Sequence, residues 1–300
     1  VVEPLVSGVL APCGVLAASG ERERFADVFA GLMGGEQLLA LAWTEPGQRF
    51  DSSPVTVRAS KTGAGWRLNG RKSTVLAAPM AETLLVSAAT EDGPSVFLVP
   101  KDTAGIESVG YQTLDGQRAA DIRFNEVDVG REALVGSAGD GLAMVQAGLD
   151  QAAALTCAEA VGAMGAALEL TVDYTRTRKQ FGQAIASFQA IQHRLANMAI
   201  ELEYSRAMLQ LLSSGMDRLP QGGRGTFISG IRSKILGGAR YLVSEAVQLH
   251  GGIGVTDEAP ISHYFRKVTA LDLAWGDARQ HLERYRSTRS ADYDLVAALY

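Results

Sequence analysis

Apolar positions divide the chain into three stretches of different periodicity. Residues 1–38 are rich in Ala and Leu. Val28, Phe29 and Leu32, followed by Leu38 and Leu39, recur at helical spacing, which predicts a short helical remnant. Residues 39–135 alternate instead. Val55 and Val57 have period two. The turn-rich run Lys61-Thr62-Gly63-Ala64-Gly65 leads into Trp66-Arg67-Leu68-Asn69-Gly70, a hairpin signal. Further strands are expected at Leu84–Ala88, Val96–Val99 and Asp121–Val127, punctuated by Glu91-Asp92-Gly93-Pro94 and Asp115-Gly116. No long helical pattern separates these strands, which favours an antiparallel barrel or sandwich over a parallel sheet.

Residues 136–300 return to a period near 3.6. Leu142, Val145, Leu149 and Val161 mark a first helix. Phe188, Ile191, Leu195, Met198, Leu202, Leu209 and Leu212 mark a second, with Gly215 where the pattern stops. Ile228, Ile231, Ile235, Leu242 and Leu249 mark a third, and Val268, Leu271, Leu282 and Tyr285 a fourth. Four such helices predict a bundle. The expected fold is α+β and multidomain: a helical remnant (1–38), a central β-domain (39–135) and a C-terminal four-helix bundle (136–300).

Composition narrows the function. Over 300 residues, 28 basic and 33 acidic side chains give a net charge of −5, with no Lys/Arg cluster, so nothing supports a nucleic-acid partner. Cys13 and Cys157 have no metal-type spacing, and neither do His193, His250, His263 and His281, so no metal is expected. The default setting is reduced and cytoplasmic. The longest apolar run, Leu76–Thr90, is broken by Pro79 and Glu82, so no membrane span is expected. Val1 opens the sequence without a charged leader, and residues upstream of it are expected. No Ser or Cys nucleophile motif, phosphate loop or Rossmann fingerprint is present.

Two segments carry candidate chemistry. Tyr174 to Gln192 lies where the first helix of the bundle gives way to the second. There Arg178 could pair with two phosphate oxygens, Phe181 could pack on an adenine or ribose, and Gly182 could allow a sharp exit from the helix. A basic helix end complementing its dipole would look the same. At the end of the third helix, Gln248 precedes Gly251-Gly252-Ile253-Gly254. Bare N–H groups there could cradle an anion, and Gln248 could bond a ribose. A plain glycine helix stop would also fit.

Together, some 70 residues apart, the two segments resemble signatures of the acyl-CoA dehydrogenase family. Tyr174, Arg178, Gln180, Phe181, Gly182, Phe188, Gln189, Gln192, Leu195 and Ala196 match one. Gln248, Gly251, Gly252, Gly254, Pro260 and Arg266 match the other. Trp43-Thr44-Glu45-Pro46 resembles the opening motif of the family's flavin domain. The resemblance implies FAD and α,β-dehydrogenation of an acyl-CoA to the trans-2-enoyl-CoA. It implies electron transfer to an electron-transferring flavoprotein and a tetramer in which each FAD is shared between subunits. Arg178, Gln180, Phe181, Gly182, Gln248, Gly251 and Gly252 would hold the ADP half of a neighbour's FAD.

The departures from the family are local. Its usual catalytic Glu falls on Trp275, and the alternative base position falls on Ala152, beside Ala153 in place of an Arg. The Trp-x-Thr segment beside the isoalloxazine falls on Thr74 and Leu76, after Asn69-Gly70-Arg71-Lys72. Gly47 to Asp51 replaces Ala-Gly-Ser-Asp. The expected role is therefore a non-catalytic subunit completing the FAD site of a homologous catalytic partner in a hetero-oligomer. Alternatives are an autonomous enzyme with a displaced base at Asp272 or Asp277, a cofactor-free scaffold, and a flavin monooxygenase or acyl-CoA oxidase on the same fold.

Overall fold

The computed structural model describes residues 3–49, 52–216, 218–219 and 221–288. Contacts divide the chain into two units, residues 1–152 and 153–300, with the boundary inside one long helix.

In the first unit a π-helical turn, Leu5–Leu10, runs into α1 (Ala11–Ala18), followed by α2 (Ala26–Gly34). The helical reading of Leu38 and Leu39 does not hold. Gly35, at φ 72°, ends α2, and Leu39 opens strand β1 (Leu39–Ala42). Then follow β2 (Arg58–Lys61), β3 (Gly65–Leu76), β4 (Thr83–Thr90), β5 (Gly93–Pro100), β6 (Ile106–Gln112), β7 (Arg118–Gly130) and β8 (Leu134–Val135). They form a sheet in the order β6-β7-β3-β2-β4-β5-β8, with β1 also on β4. The hairpin forms as expected, with Lys61 opposite Trp66 and Arg58 opposite Asn69.

Two sequence expectations change. The sheet is mixed, because β1 and β2 both pair with β4 in parallel. Val55 and Val57 do not form a strand, since the backbone of Val57 is engaged elsewhere. Its N–H donates to Glu45 Oε1 at 3.1 Å, and its carbonyl accepts from Ala89 at 2.7 Å. Leu84 through Ala88 are all buried, so β4 reads as an apolar run without alternation, as a strand covered on both faces does. Leu68, Leu84, Val86, Phe97, Ile122, Phe124 and Val127 fill the core, where Trp66 meets Phe97 edge-on at 5.3 Å.

Helix α3 (Gly141–Thr177) continues into the second unit, followed by the short hairpin strands β9 (Lys179–Gln180) and β10 (Gln183–Ala184). Then come α4 (Gln189–Gly215), α5 (Gln221–His250), α6 (Pro260–Ala274) and α7 (Ala278–Thr288). Helix α5 packs against α4, α6 and α7. By length and composition α3 could cross a membrane, although the longest apolar run of the sequence lies elsewhere. Half of its most apolar window is buried within the protein, and alanines with few charges give it that composition.

The fourth helix of the sequence reading is two helices. Trp275 leaves helical geometry at φ −128°, ψ 33°, and Gly276 takes φ +93°. A side chain at Gly276 would also collide with Gln280 and His281. The break is pinned by Arg232 of α5, which is fully buried. Its guanidinium donates to Leu271 O at 2.7 Å and Gly276 O at 3.4 Å, and to Ala153 O at 3.0 Å and Thr156 Oγ1 at 2.6 Å on α3. One planar fork with five donors thus joins three helices. Burial lowers the Arg232 pKa from its ordinary value and pushes the neighbouring Cys157 thiol up to about 11.

Candidate functional site

The two motif segments lie at the same end of the second unit. Tyr174, in the last turn of α3, stacks on His250, the last residue of α5, with ring centroids 4.4 Å apart and planes at 21°. Its hydroxyl donates to the His250 carbonyl at 3.2 Å. Arg178 leaves the helix on a hydrogen bond from its N–H to Tyr174 O at 2.8 Å, and its side chain is exposed.

Gly182 does not make the helix exit, because α3 has already ended at Thr177. Instead Phe181 and Gly182 form the tip of the β9–β10 hairpin, with Gln180 opposite Gln183. Both tip residues have positive φ, 51° and 81°, as tight hairpin turns of the mirror-image type require. Gly adopts this without cost, whereas Phe is an uncommon occupant and a strained one. The turn leaves the Phe181 ring 91% exposed, supported edge-on only by Phe188 at 6.1 Å among the described aromatic contacts. An aromatic held out by a strained backbone is the geometry of a contact residue.

On the other side, Gln248 is exposed at the end of α5, and Gly251 and Gly252 follow in exposed backbone. A Cβ at Gly182, Gly251 or Gly252 would meet nothing within 4 Å, so the space above these glycines is open to a ligand. Gly254 differs, since a Cβ there would lie 2.7 Å from Val247 O and 2.9 Å from His250 Cβ, which makes it a packing glycine. An exposed guanidinium, an exposed aromatic ring, a primary amide and an open glycine turn are the donor set that an ADP moiety needs. These residues fit the tail of a dinucleotide.

The candidate base positions have other occupants. Trp275 is buried, and its carbonyl meets His281 Nε2 at 2.9 Å. Ala152 is buried in the first unit. Asp272 does not share a helical face with Trp275, which is already outside α6. Its Oδ1 accepts from the Ala278 N–H at 2.9 Å, and its Oδ2 pairs with Arg240 at 3.2 Å. Asp277 caps α7, accepting from the Gln280 N–H at 2.7 Å. Both carboxylates are occupied in holding the break between α6 and α7.

In the first unit Glu45 turns inward. It accepts from the Thr56 N–H at 2.7 Å, the Thr56 hydroxyl, the Val57 N–H and Lys72 Nζ at 2.7 Å. Lys72 also reaches Ser87 Oγ at 2.8 Å and Trp43 O at 3.3 Å. Burial pulls Lys72 down to about 8 against the opposing pull of Glu45. For Glu45, burial alone would raise the pKa. The Lys72 charge and the hydrogen bonds from Lys72, Thr56 and Val57 outweigh that and hold it below the usual carboxylate range. Thr74, at φ 51°, is exposed. Its N–H donates to Asp121 Oδ1 at 2.9 Å, the oxygen that also accepts from the Tyr111 hydroxyl.

Sequence reading gave no role to Arg232 or Lys72, although each left a signal. Arg232 lies four positions after Ile228, on the apolar stripe of α5. Lys72 keeps the parity of Trp66 and Leu68 along β3.

Comparison with known proteins places the chain in a family. The profile of the acyl-CoA dehydrogenase C-terminal domain matches residues 139–284, and that of the middle domain matches residues 40–127. A relative from Mycobacterium tuberculosis, named "Probable acyl-CoA dehydrogenase", is 30% identical over 270 residues, covering 85% of this chain and 68% of that protein. The chain belongs to the acyl-CoA dehydrogenase family. FAD is the family's cofactor, and its chemistry is oxidoreduction at CH–CH bonds. CarC, a subunit of the caffeyl-CoA reductase-Etf complex of Acetobacterium woodii, is 29% identical over 275 residues, covering 89% of this chain and 72% of CarC. Among solved structures, the Tcur3481-Tcur3483 steroid ACAD superposes with a TM-score of 0.81 at 30% identity, covering 94% of this chain and 74% of that one. The chain spans 61% to 72% of the length of such relatives.

Proposed function

We propose that this chain is the non-catalytic subunit of a hetero-oligomeric, FAD-dependent acyl-CoA dehydrogenase, supplying the ADP-binding half of the FAD site to a homologous catalytic partner. The observation that carries this reading is a division of residues. Arg178, Phe181, Gln248, Gly251 and Gly252 are exposed and gathered at one end of the helical unit, while the two positions that the family resemblance assigns to a base hold side chains that cannot take a proton, Trp275 and Ala152. Arg178 would pair with the pyrophosphate as a planar fork. Phe181 would lie on the adenine, and Gln248 would bond the ribose. The open space at Gly251 and Gly252 would let the phosphates come close to the backbone. Held by these residues, FAD would supply a hydride acceptor for the acyl β-carbon, and the carboxylate needed to take the α-proton would belong to the partner. Electrons would pass to an electron-transferring flavoprotein.

Two relatives support an assembly of this kind. CarC is named as a subunit of an Etf complex, and the steroid ACAD carries two component names. A bulky acyl-CoA, such as a sterol side-chain or dicarboxylic thioester, suits a two-component enzyme, and a cytoplasmic location suits its electron acceptor.

Co-expression with a homologous dehydrogenase tests the reading. The pair should purify together with FAD and oxidise an acyl-CoA. A chain that alone binds a full complement of FAD and oxidises acyl-CoA would sink the proposal. Asp272→Asn and Asp277→Asn in the complex should leave turnover unchanged, measured by reduction of an artificial electron acceptor. Loss of turnover in either variant, with assembly and FAD content unchanged, would locate the base in this chain instead.

A further inference from the structure

Arg178 and the Gly251-Gly252 turn follow the ends of different helices, α3 and α5, yet one dinucleotide tail would have to meet both. Such a site works only if the spacing of the two segments is fixed before the ligand arrives, because ordering them on binding would cost affinity.

The contact between the helix ends is built for that. The Tyr174 ring lies parallel to the His250 ring at 4.4 Å. The Tyr174 hydroxyl donates to the His250 carbonyl at 3.2 Å, where α5 gives way to the 3-10 helix Gly251–Val255. His250 Nδ1 lies 2.8 Å from Ala246 O, where an N–H must donate, so the imidazole is tied to the last turn of its own helix and cannot rotate freely. Each ring is covalently close to a motif. Tyr174 O accepts the Arg178 N–H at 2.8 Å, and Gly251 directly follows His250.

We infer that Tyr174 and His250 are a pair of positioning residues that set the spacing between the Arg178 hairpin and the Gly251-Gly252 turn. The inference rests on the proposed function, since it assumes that both segments address one FAD. Neither ring needs to touch the cofactor.

The test is a double-mutant cycle on the complex with its catalytic partner, reading FAD dissociation by flavin fluorescence below the melting temperature of every variant. Tyr174→Leu keeps bulk and removes the stack, and His250→Leu does the same from the other side. Each should weaken FAD retention about tenfold. The double variant should be no worse than either single one, because both break one contact. Tyr174→Phe keeps the stack and loses only the hydroxyl bond, so it should retain most of the binding even if the Leu variants fold poorly.

The deciding arm combines Tyr174→Leu with Arg178→Ala. If Tyr174 acts by placing Arg178, its loss should add little once Arg178 is gone. Full additivity, or normal retention in Tyr174→Leu while Arg178→Ala loses FAD, would overturn the positioning role and leave the proposed function standing. Normal retention in Arg178→Ala would instead overturn the proposed function, and the inference with it.

Discussion

Lys72→Met is expected to destabilise the first unit by about 3–5 kcal/mol, the cost typical of removing one member of a buried ion pair. The Lys72 side chain has no exposure and that of Glu45 has 1%. Without the ammonium, the Glu45 carboxylate would remain buried with only the Thr56 and Val57 donors, and Ser87 Oγ would lose its partner. Urea unfolding followed by circular dichroism would measure the loss. A double variant, Glu45→Gln with Lys72→Met, should recover part of it, because no uncompensated charge then remains. A cost below about 1 kcal/mol for Lys72→Met would mean that water reaches the pair, as at a surface bridge.

The same pair predicts an acid limb. The folded pKa of Glu45 lies below its unfolded value of 4.5, so its contribution is complete above that pH and is lost as pH falls through the lower folded value. Lys72 gives the same slope in a higher window, although its burial is a cost where that of Glu45 is offset. Its folded pKa of about 8 lies below the unfolded 10.5, so the cost of its buried charge eases as pH rises between the two. Glu45→Gln should flatten the acid limb of a plot of stability against pH.

The second large effect concerns the cofactor. Arg178→Ala removes an exposed guanidinium that is proposed to meet the pyrophosphate as a fork. Charge-assisted bonds of this kind contribute about 1.5–3 kcal/mol, which corresponds to roughly 10- to 100-fold weaker retention of FAD by the complex. The fold should be indifferent, because Arg178 is exposed and only its backbone supports the helix end and the hairpin: its N–H donates to Tyr174 O, and its carbonyl accepts from the Ile185 N–H at 2.9 Å. Arg178→Lys should be an incomplete rescue, since an ammonium is a point charge without the planar fork.

Much of this was legible in the sequence because it was written in period and punctuation. The hairpin before Trp66, the strands at Leu84, Val96 and Asp121, and the long helical faces all carry a strong repeat. Strand β6 carries none. All its residues after Ile106 are exposed, so no inward face marks it. The break at Trp275-Gly276 was hidden because Val268, Leu271, Leu282 and Tyr285 keep one period across it, whereas Gly276, Asp277 and the buried Arg232 set the interruption through tertiary contacts. The parallel pairing of β1 and β2 with β4 depends on long-range register, which local alternation cannot encode. At the site, residue types were readable and display was not. Nothing in the letters around Phe181 revealed a positive φ or a hairpin tip, and nothing around Tyr174 revealed the ring it stacks on.

The most direct test of the central claim is the flavin content of the co-purified complex, with an intact partner and either wild-type chain or Arg178→Ala. The account predicts that both complexes assemble, that the wild-type complex is yellow, and that the variant loses its FAD on gel filtration while the partner stays bound. Equal flavin in the two complexes would contradict it.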